Sequence, residues 1–292
     1  MVRRGVTMTL NYPLLQFEHL SPRDVELLAS IAGFSEESLR ARLAGDPAFL
    51  DQALASPELY EAIFGESDQL GPIVTPFLAF GALVHHAEGD LGRASHLLEW
   101  SGPGKRLPVF DVGPLRDYLE DGGRRFFLIE HLASFTKVAS GTFWVRTRRG
   151  YARRRFSEVD PMRLADLVDQ LPMEQRPGGY RRLGDVALFL SGVFPDHTAR
   201  HPFPVSYRER LARSAAIGPT DTLIEGDGVG FLERAGAGWY RRAVDEAEAI
   251  VGNGPRFLRD VANRFADARR ILNYLADRYL FRHDVGLIRP GS

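Results

Sequence analysis

From Val186 to Phe194 the chain reads Val-Ala-Leu-Phe-Leu-Ser-Gly-Val-Phe, apolar or small at every position. A helix on a protein surface carries one apolar stripe, whereas one that is apolar all round must be covered on every side. The run is too short to cross a bilayer, which takes about 20 apolar residues. It therefore reads as a buried central helix over 179–194, stopped by Pro195. Gly184, Ala187 and Ser191 fall at i, i+3 and i+7, a stripe of small side chains where a neighbouring backbone can come close. Asp185 is the one acid inside this helix.

The partners of such a helix are announced upstream by a repeated start signal. Ser21-Pro22, Asp46-Pro47, Ser56-Pro57, Thr75-Pro76 and Asp160-Pro161 each place a capping oxygen before a proline. The oxygen accepts a free helix N–H, and proline in the first turn has no N–H to leave unpaired. Helices are expected near 22–32, 36–44, 47–55, 57–64, 76–88 and 161–170. Further helices are expected near 91–100, 114–121, 124–139, 206–216 and 230–251, with 101–113 and 195–205 irregular and 218–230 a glycine-rich acidic loop. The last helix, 256–281, carries Leu258, Val261, Phe265, Ala268, Leu272, Leu275 and Tyr279 at alternating steps of three and four. That stripe suits a coiled-coil seam between two copies or the core edge of a bundle. The bundle reading is preferred because no charged flanks run in register. The fold class expected is mainly α: a multi-helix bundle with a buried central helix and one β-hairpin. Its division is into an acidic helical region over 1–100 and a helical core with a basic hairpin over 101–292, or one continuous domain.

Composition narrows the chemistry. Cysteine is absent, which removes disulfides, thiolate zinc sites and cysteine nucleophiles together. Only Lys105 and Lys137 among the 37 basic residues are lysine, so abundant arginine is by itself a weak sign of nucleic-acid binding. The net charge of −1 conceals an asymmetry: residues 1–100 hold 6 basic and 14 acidic side chains, and 101–292 hold 31 and 24. Such a dipole implies two faces that attract each other or that steer a partner. The basic start is followed by no apolar core of signal-peptide length, and Ile73–Val84 is too short to span a membrane. A cytoplasmic protein with no membrane association is expected.

The sharpest local signal is a change of period at Thr142–Thr147, followed by Arg149-Gly150 and Tyr151–Phe156. Alternating β-branched and aromatic residues around a turn predict a hairpin. With Arg149-Gly150 as a two-residue loop, Arg148 faces Tyr151, Arg146 faces Arg153, and Trp144 faces Arg155. One face then carries Trp144, Arg146, Arg148, Tyr151, Arg153 and Arg155, while Arg154 joins Phe143, Val145 and Phe156 on the other. Like charges directly opposite one another destabilise a hairpin, and an anion over this face would relieve them. Guanidinium forks hold phosphate oxygens and aromatic rings stack on bases. Trp144, Arg146, Arg148, Arg149, Tyr151, Arg153 and Arg155 are therefore the candidate nucleic-acid-binding residues. Pairing with acidic side chains of the same chain, or with a protein partner, stays open.

No constellation points firmly to catalysis, a cofactor or a metal. His85-His86 with Glu88, Asp90 and His96 is one histidine cluster, but adjacent helical residues point about 100° apart. Asp196, His197 and His201 form a second and His283-Asp284 a third; none has an established metal-ligand spacing. His131, on an apolar stripe, reads as a core histidine. Asp185 is either a general acid or base with a shifted pKa, or part of a buried ion pair that sets helix register. Arg181, Arg182, Arg264 and Arg269 are its possible partners, and the register reading is preferred. Asn263 and Asn273 take the same structural reading. Gly226–Gly230 precedes a helix, but Glu225 and Asp227 would repel a phosphate there. Dinucleotide, phosphate-loop and nucleophile-elbow motifs are missing.

The Leu183-Gly184-Asp185 to Phe194-Pro195 stretch, with Arg264-Phe265 and Ala268–Asn273, resembles segments of an uncharacterised bacterial protein family. That resemblance implies that 179–281 form one folded unit and transfers no site. The leading expectation is a non-enzymatic binding protein contacting nucleic acid through the arginine-rich hairpin, without cofactor. The alternatives are a protein-interaction module, using the acidic N-terminal helices or the C-terminal heptad as a homo-oligomer seam, and a hydrolase or metal-dependent enzyme.

Overall fold

The computed structural model describes residues 19–65, 73–137, 140–147, 150–157, 159–218, 227–251 and 256–281, with backbone alone for 47, 140–147, 150–157, 251 and 256. In chain order the helices begin with α1 (Pro22–Ala32), α2 (Glu36–Gly45), α3 (Pro47–Leu54), α4 (Pro57–Phe64) and α5 (Pro76–Arg93). Strands β1 (Leu97–Gly102) and β2 (Lys105–Val109) follow, then α6 (Gly113–Glu120), α7 (Gly122–Ser134), and strands β3 (Ser140–Thr147) and β4 (Gly150–Ser157). The rest is α8 (Pro161–Val168), a 3-10 turn at Met173–Gln175, α9 (Arg176–Val193), α10 (Pro195–Arg200), α11 (Val205–Ser214), α12 (Gly228–Val251), α13 (Arg256–Asn263), α14 (Phe265–Leu275) and a π-helical turn at Ala276–Leu280. The protein is mainly α. Its contacts divide it into two units, Met1–Gly89 with Asp121–Ala133 and Asp90–Glu120 with Ser134–Ser292.

All five cap-and-proline signals start helices. Ser21, Asp46, Ser56, Thr75 and Asp160 each accept a first-turn N–H of α1, α3, α4, α5 and α8 respectively. Each such cap stabilises its helix by about 1 kcal/mol. In the first unit Asp24 extends the scheme. It is fully buried, accepting the Ser21 N–H at 2.7 Å and the Thr75 N–H at 2.9 Å, so one carboxylate closes the starts of α1 and α5. Around it Val25, Leu28, Leu39, Leu50, Leu54, Leu59 and Leu78 form the apolar core of this unit.

The second unit is built on α9, which packs against α8, α12 and α14. Its residues from Leu183 to Val193 are almost wholly buried, as an all-round apolar helix requires. The small stripe is where the neighbours come closest. A Cβ at Gly184 would lie 2.4 Å from the Tyr240 ring of α12, one at Gly192 2.7 Å from Leu272 of α14, and one at Gly236 of α12 2.9 Å from Ala187. Three of the carbonyls left without a helical partner where α9 ends are closed by side chains. The Thr198 hydroxyl donates to Leu190 O at 2.8 Å, and the Asn273 amide donates to Ser191 O and Gly192 O. Asn273 therefore has the structural role expected of it.

Three expectations are corrected. Residues 97–109, read as the end of a helix and a loop, form an antiparallel hairpin in which Leu97 pairs with Val109 and Glu99 with Leu107. Its turn is Pro103-Gly104, with Gly104 at φ 71°, the arrangement of a tight turn with proline first and left-handed glycine second. Residues 195–200, expected to be irregular, form α10. The last helix is not continuous: Arg264 leaves helical geometry at φ −110° and ψ 26°, and its guanidinium donates to Pro114 O and Asp267. The apolar stripe of α13 and α14 passes through this break and is buried in its own unit, from Leu258 (5 % exposed) to Tyr279 (9 %). It is a core edge, and the homo-oligomer seam along this stripe is withdrawn because the stripe is already covered within its own unit.

Two glycine substitutions separate packing from propensity. Gly184→Ala is expected to lower stability by about 1–3 kcal/mol in urea denaturation, because the methyl group overpacks the buried Tyr240 ring. Gly89→Ala, exposed on α5 with no atom within 4 Å of the new carbon, should raise stability by about 0.5–1 kcal/mol.

Candidate functional site

The polar groups of the second unit gather where α9 stops. Pro195 ends that helix and opens α10, which places Asp196 in its first turn. Asp196 Oδ1 accepts the Trp100 indole N–H at 2.9 Å and the Gly104 amide at 2.8 Å, and Oδ2 accepts Arg106 at 3.1 Å. Burial by itself would raise the Asp196 pKa, but the Gly104 amide, Arg106 and Trp100 outweigh it and hold the carboxyl below its ordinary value. Arg106 also forks onto Asp277 through Nε and Nη2, and this bond raises the guanidinium pKa further. On the other face of the same hairpin Glu99 is gripped by Arg270, whose Nε lies 3.0 and 2.9 Å from its two oxygens. The β1–β2 hairpin is thus clamped to α10, α14 and the π turn by charged forks. A cleft of about 300 Å³ adjoins it, lined by Arg106, Asp196, His197, Arg200, His201 and Asp277 among others.

A larger cleft, about 530 Å³, is also lined by Asp277. Here Asp90 Oδ1 accepts Arg93 at 2.8 Å, and Oδ2 accepts Arg278 at 3.1 Å and the Tyr279 hydroxyl at 2.7 Å. The Tyr274 and Tyr279 oxygens are 3.3 Å apart, forming a chain of two phenols ending on the carboxylate. Burial raises the pKa of both tyrosines, so both stay protonated and able to donate.

The strands of the β3–β4 hairpin lie where expected, with a different register. Thr147 pairs with Gly150, and Arg148 and Arg149 lie outside the described residues. Arg146 therefore sits opposite Tyr151, Trp144 opposite Arg153, and Thr142 opposite Arg155. Because the register differs by two, face membership is unchanged: Trp144, Arg146, Tyr151, Arg153 and Arg155 share one face and Phe143, Val145, Arg154 and Phe156 the other. The opposition of Arg146 and Arg153 does not occur. No arginine of the described strands pairs in register with another, so the inference that this hairpin needs an anion to relieve facing charges is withdrawn.

Other sequence candidates are dispersed. Asp185 accepts the Tyr240 hydroxyl at 2.7 Å, while Arg264 binds Asp267 and Arg269 binds Glu233 and Asn273. Asp185 is thus tied to α12 through a buried phenol. Burial raises the Tyr240 pKa, which keeps it a donor. In the first unit His85 is buried between Asp51 at 3.7 Å and Glu88 at 3.6 Å, with Arg125 bonded to both carboxylates. His86 stacks on Tyr60, with centroids 3.6 Å apart. The His197 and His201 rings lie tilted against each other with centroids 4.3 Å apart. His131 is buried beside Phe127. Among the described residues no three His, Asp or Glu side chains are arranged to hold a metal ion. Asp227 caps Gly230 N at the start of α12, so that helix end already has its acceptor. His283 and Asp284 lie outside the described residues. No described helix is long and apolar enough to cross a membrane.

Comparison with protein-family models, with curated proteins and with solved structures finds no match. Arg106 and Asp277 are not marked by any sequence pattern, and Tyr279 is marked only as part of the apolar stripe of the last helix. Arg106 and Asp277 are 171 residues apart, and the one local clue was the Pro103-Gly104 turn that brings Arg106 back beside Trp100.

The Asp196 clamp carries a definite pH signature. Its folded pKa lies below the ordinary 3.8, so its stabilisation is complete above that value and fades as pH falls through the lowered one. Asp196→Ala is expected to lower the Tm at neutral pH. The gap to the unsubstituted protein should close in strong acid, as followed by thermal unfolding across that range.

Proposed function

We propose that this chain is a non-enzymatic, cytoplasmic binding protein that holds nucleic acid against the β3–β4 face carrying Trp144, Arg146, Tyr151, Arg153 and Arg155. The observation that supports the reading is the cross-strand register, which interleaves cations and rings on one face: Arg146 across from Tyr151, and Trp144 across from Arg153. Diagonal neighbours on such a face are about 7–8 Å apart. Arg146 and Arg153 are diagonal neighbours in this register and do not stand directly opposite each other. A surface of this kind takes phosphates on guanidinium forks and unstacked bases on aromatic faces, which suits single strands and tolerates many sequences.

Fluorescence anisotropy with a labelled single-stranded oligonucleotide tests the reading. Binding is expected to weaken with salt, with a log–log slope of about −2 to −3 for the few phosphates such a face can contact. Arg146→Glu with Arg153→Glu should abolish it, whereas Arg154→Glu, on the opposite face, should leave most of it. Salt-insensitive binding, or no binding to DNA or RNA at low salt, would refute the proposal.

A further inference from the structure

We infer that the cleft beside Asp90 is a binding site for a small organic oxyanion, a carboxylate or phosphate ester carried on an apolar body. The inference is independent of the hairpin reading. The cleft measures about 530 Å³, within the range of small-molecule sites. Its cations come from two elements far apart in sequence, Arg93 at the end of α5 and Arg278 in the π turn, and both are anchored on the same carboxylate. Arg93 uses one terminal nitrogen on Asp90 Oδ1, and Arg278 uses one on Oδ2. A guanidinium has five N–H donors, so each fork keeps donors beyond that bond.

The two heads are held without being covered. The Arg93 side chain is 77 % exposed and that of Arg278 50 %. Arg278 also lies over the Tyr274 and Tyr279 rings, at 5.9 and 5.8 Å, and Tyr279 supplies Asp90 with a further hydrogen bond. Asp90 is therefore a spacer that fixes a pair of cations before a ligand arrives, which lowers the entropy cost of binding a second oxyanion between them. The other acid of the lining, Asp277, would repel an anion if it stood alone, but Arg106 binds it through two nitrogens. The rest of the wall carries Ser95 and His96 and an apolar part, where Ala94, Leu97 and Leu98, the last 57 % exposed, border the same space as the Tyr274 ring. Paired guanidinium forks beside an open apolar wall fit a molecule with an oxyanion head and an apolar body.

Phenyl phosphate, benzoate and neutral benzyl alcohol, titrated into the full chain and followed by protein NMR shifts, test this. Phenyl phosphate or benzoate is expected to bind one-to-one with a Kd on the order of millimolar, the range for so small a probe, and benzyl alcohol is not. Whichever acid binds more tightly identifies the head group. Arg93→Gln should weaken binding about tenfold, and Leu98→Glu, which adds a negative charge to the wall, should weaken it as well. Both positions are exposed, so these variants keep the test open whatever Arg278→Gln does to folding. Absence of saturable binding by either acid, equal binding of benzyl alcohol, or binding unchanged in Arg93→Gln would overturn the inference.

Discussion

The second unit depends on the near-contact of α12 and α14 with a central helix whose facing side chains are small. At Gly184 and Gly192 no side chain intervenes between α9 and the Tyr240 ring or Leu272, and at Ala187 only a methyl group lies before Gly236. The carbonyls at the end of a helix have no partner within it and need donors from elsewhere. Thr198 and Asn273 supply them. Those two bonds tie α10 and α14 to the end of α9. Asp196 follows from the first of these placements and Asp277 from the second, so the polar junction lies where the core has to be closed.

Arginine does the tying elsewhere in this unit. Arg116 donates to the carbonyls of Leu91 and Ala94, Arg270 forks onto Glu99, and Arg106 spans Asp196 and Asp277. A planar fork can bind both oxygens of a carboxylate or two acceptors at once, which an ammonium group cannot do in a fixed geometry. Much of the arginine excess in the composition is therefore structural. The nucleic-acid reading rests on the placement of arginines about one hairpin face and not on their number.

The π turn gives the last helix its second role. Phe281 N–H reaches back to Ala276 O, a five-residue step that widens the turn. Consecutive residues then serve different partners: Asp277 meets Arg106, while Arg278 and Tyr279 meet Asp90. Such turns occur frequently at functional sites. Here the turn lets one short segment line both clefts.

What could be read from the residues alone was local. Cap oxygens before proline, the all-round apolar run at 186–194 and the period-two stretch at 142–156 depend on neighbours a few positions away, and each element appeared where it was expected. The β1–β2 hairpin escaped because its paired runs are short and its Pro103-Gly104 turn looked like a loop. The helix break at Arg264 escaped because one non-helical residue does not disturb the apolar stripe that runs through it. Tertiary structure alone decided which carboxylate each arginine would take. Arg106 could have paired with any acid in the chain. Charges and donors carry no period, so their partners are set by which helix ends the packing of the core brings together.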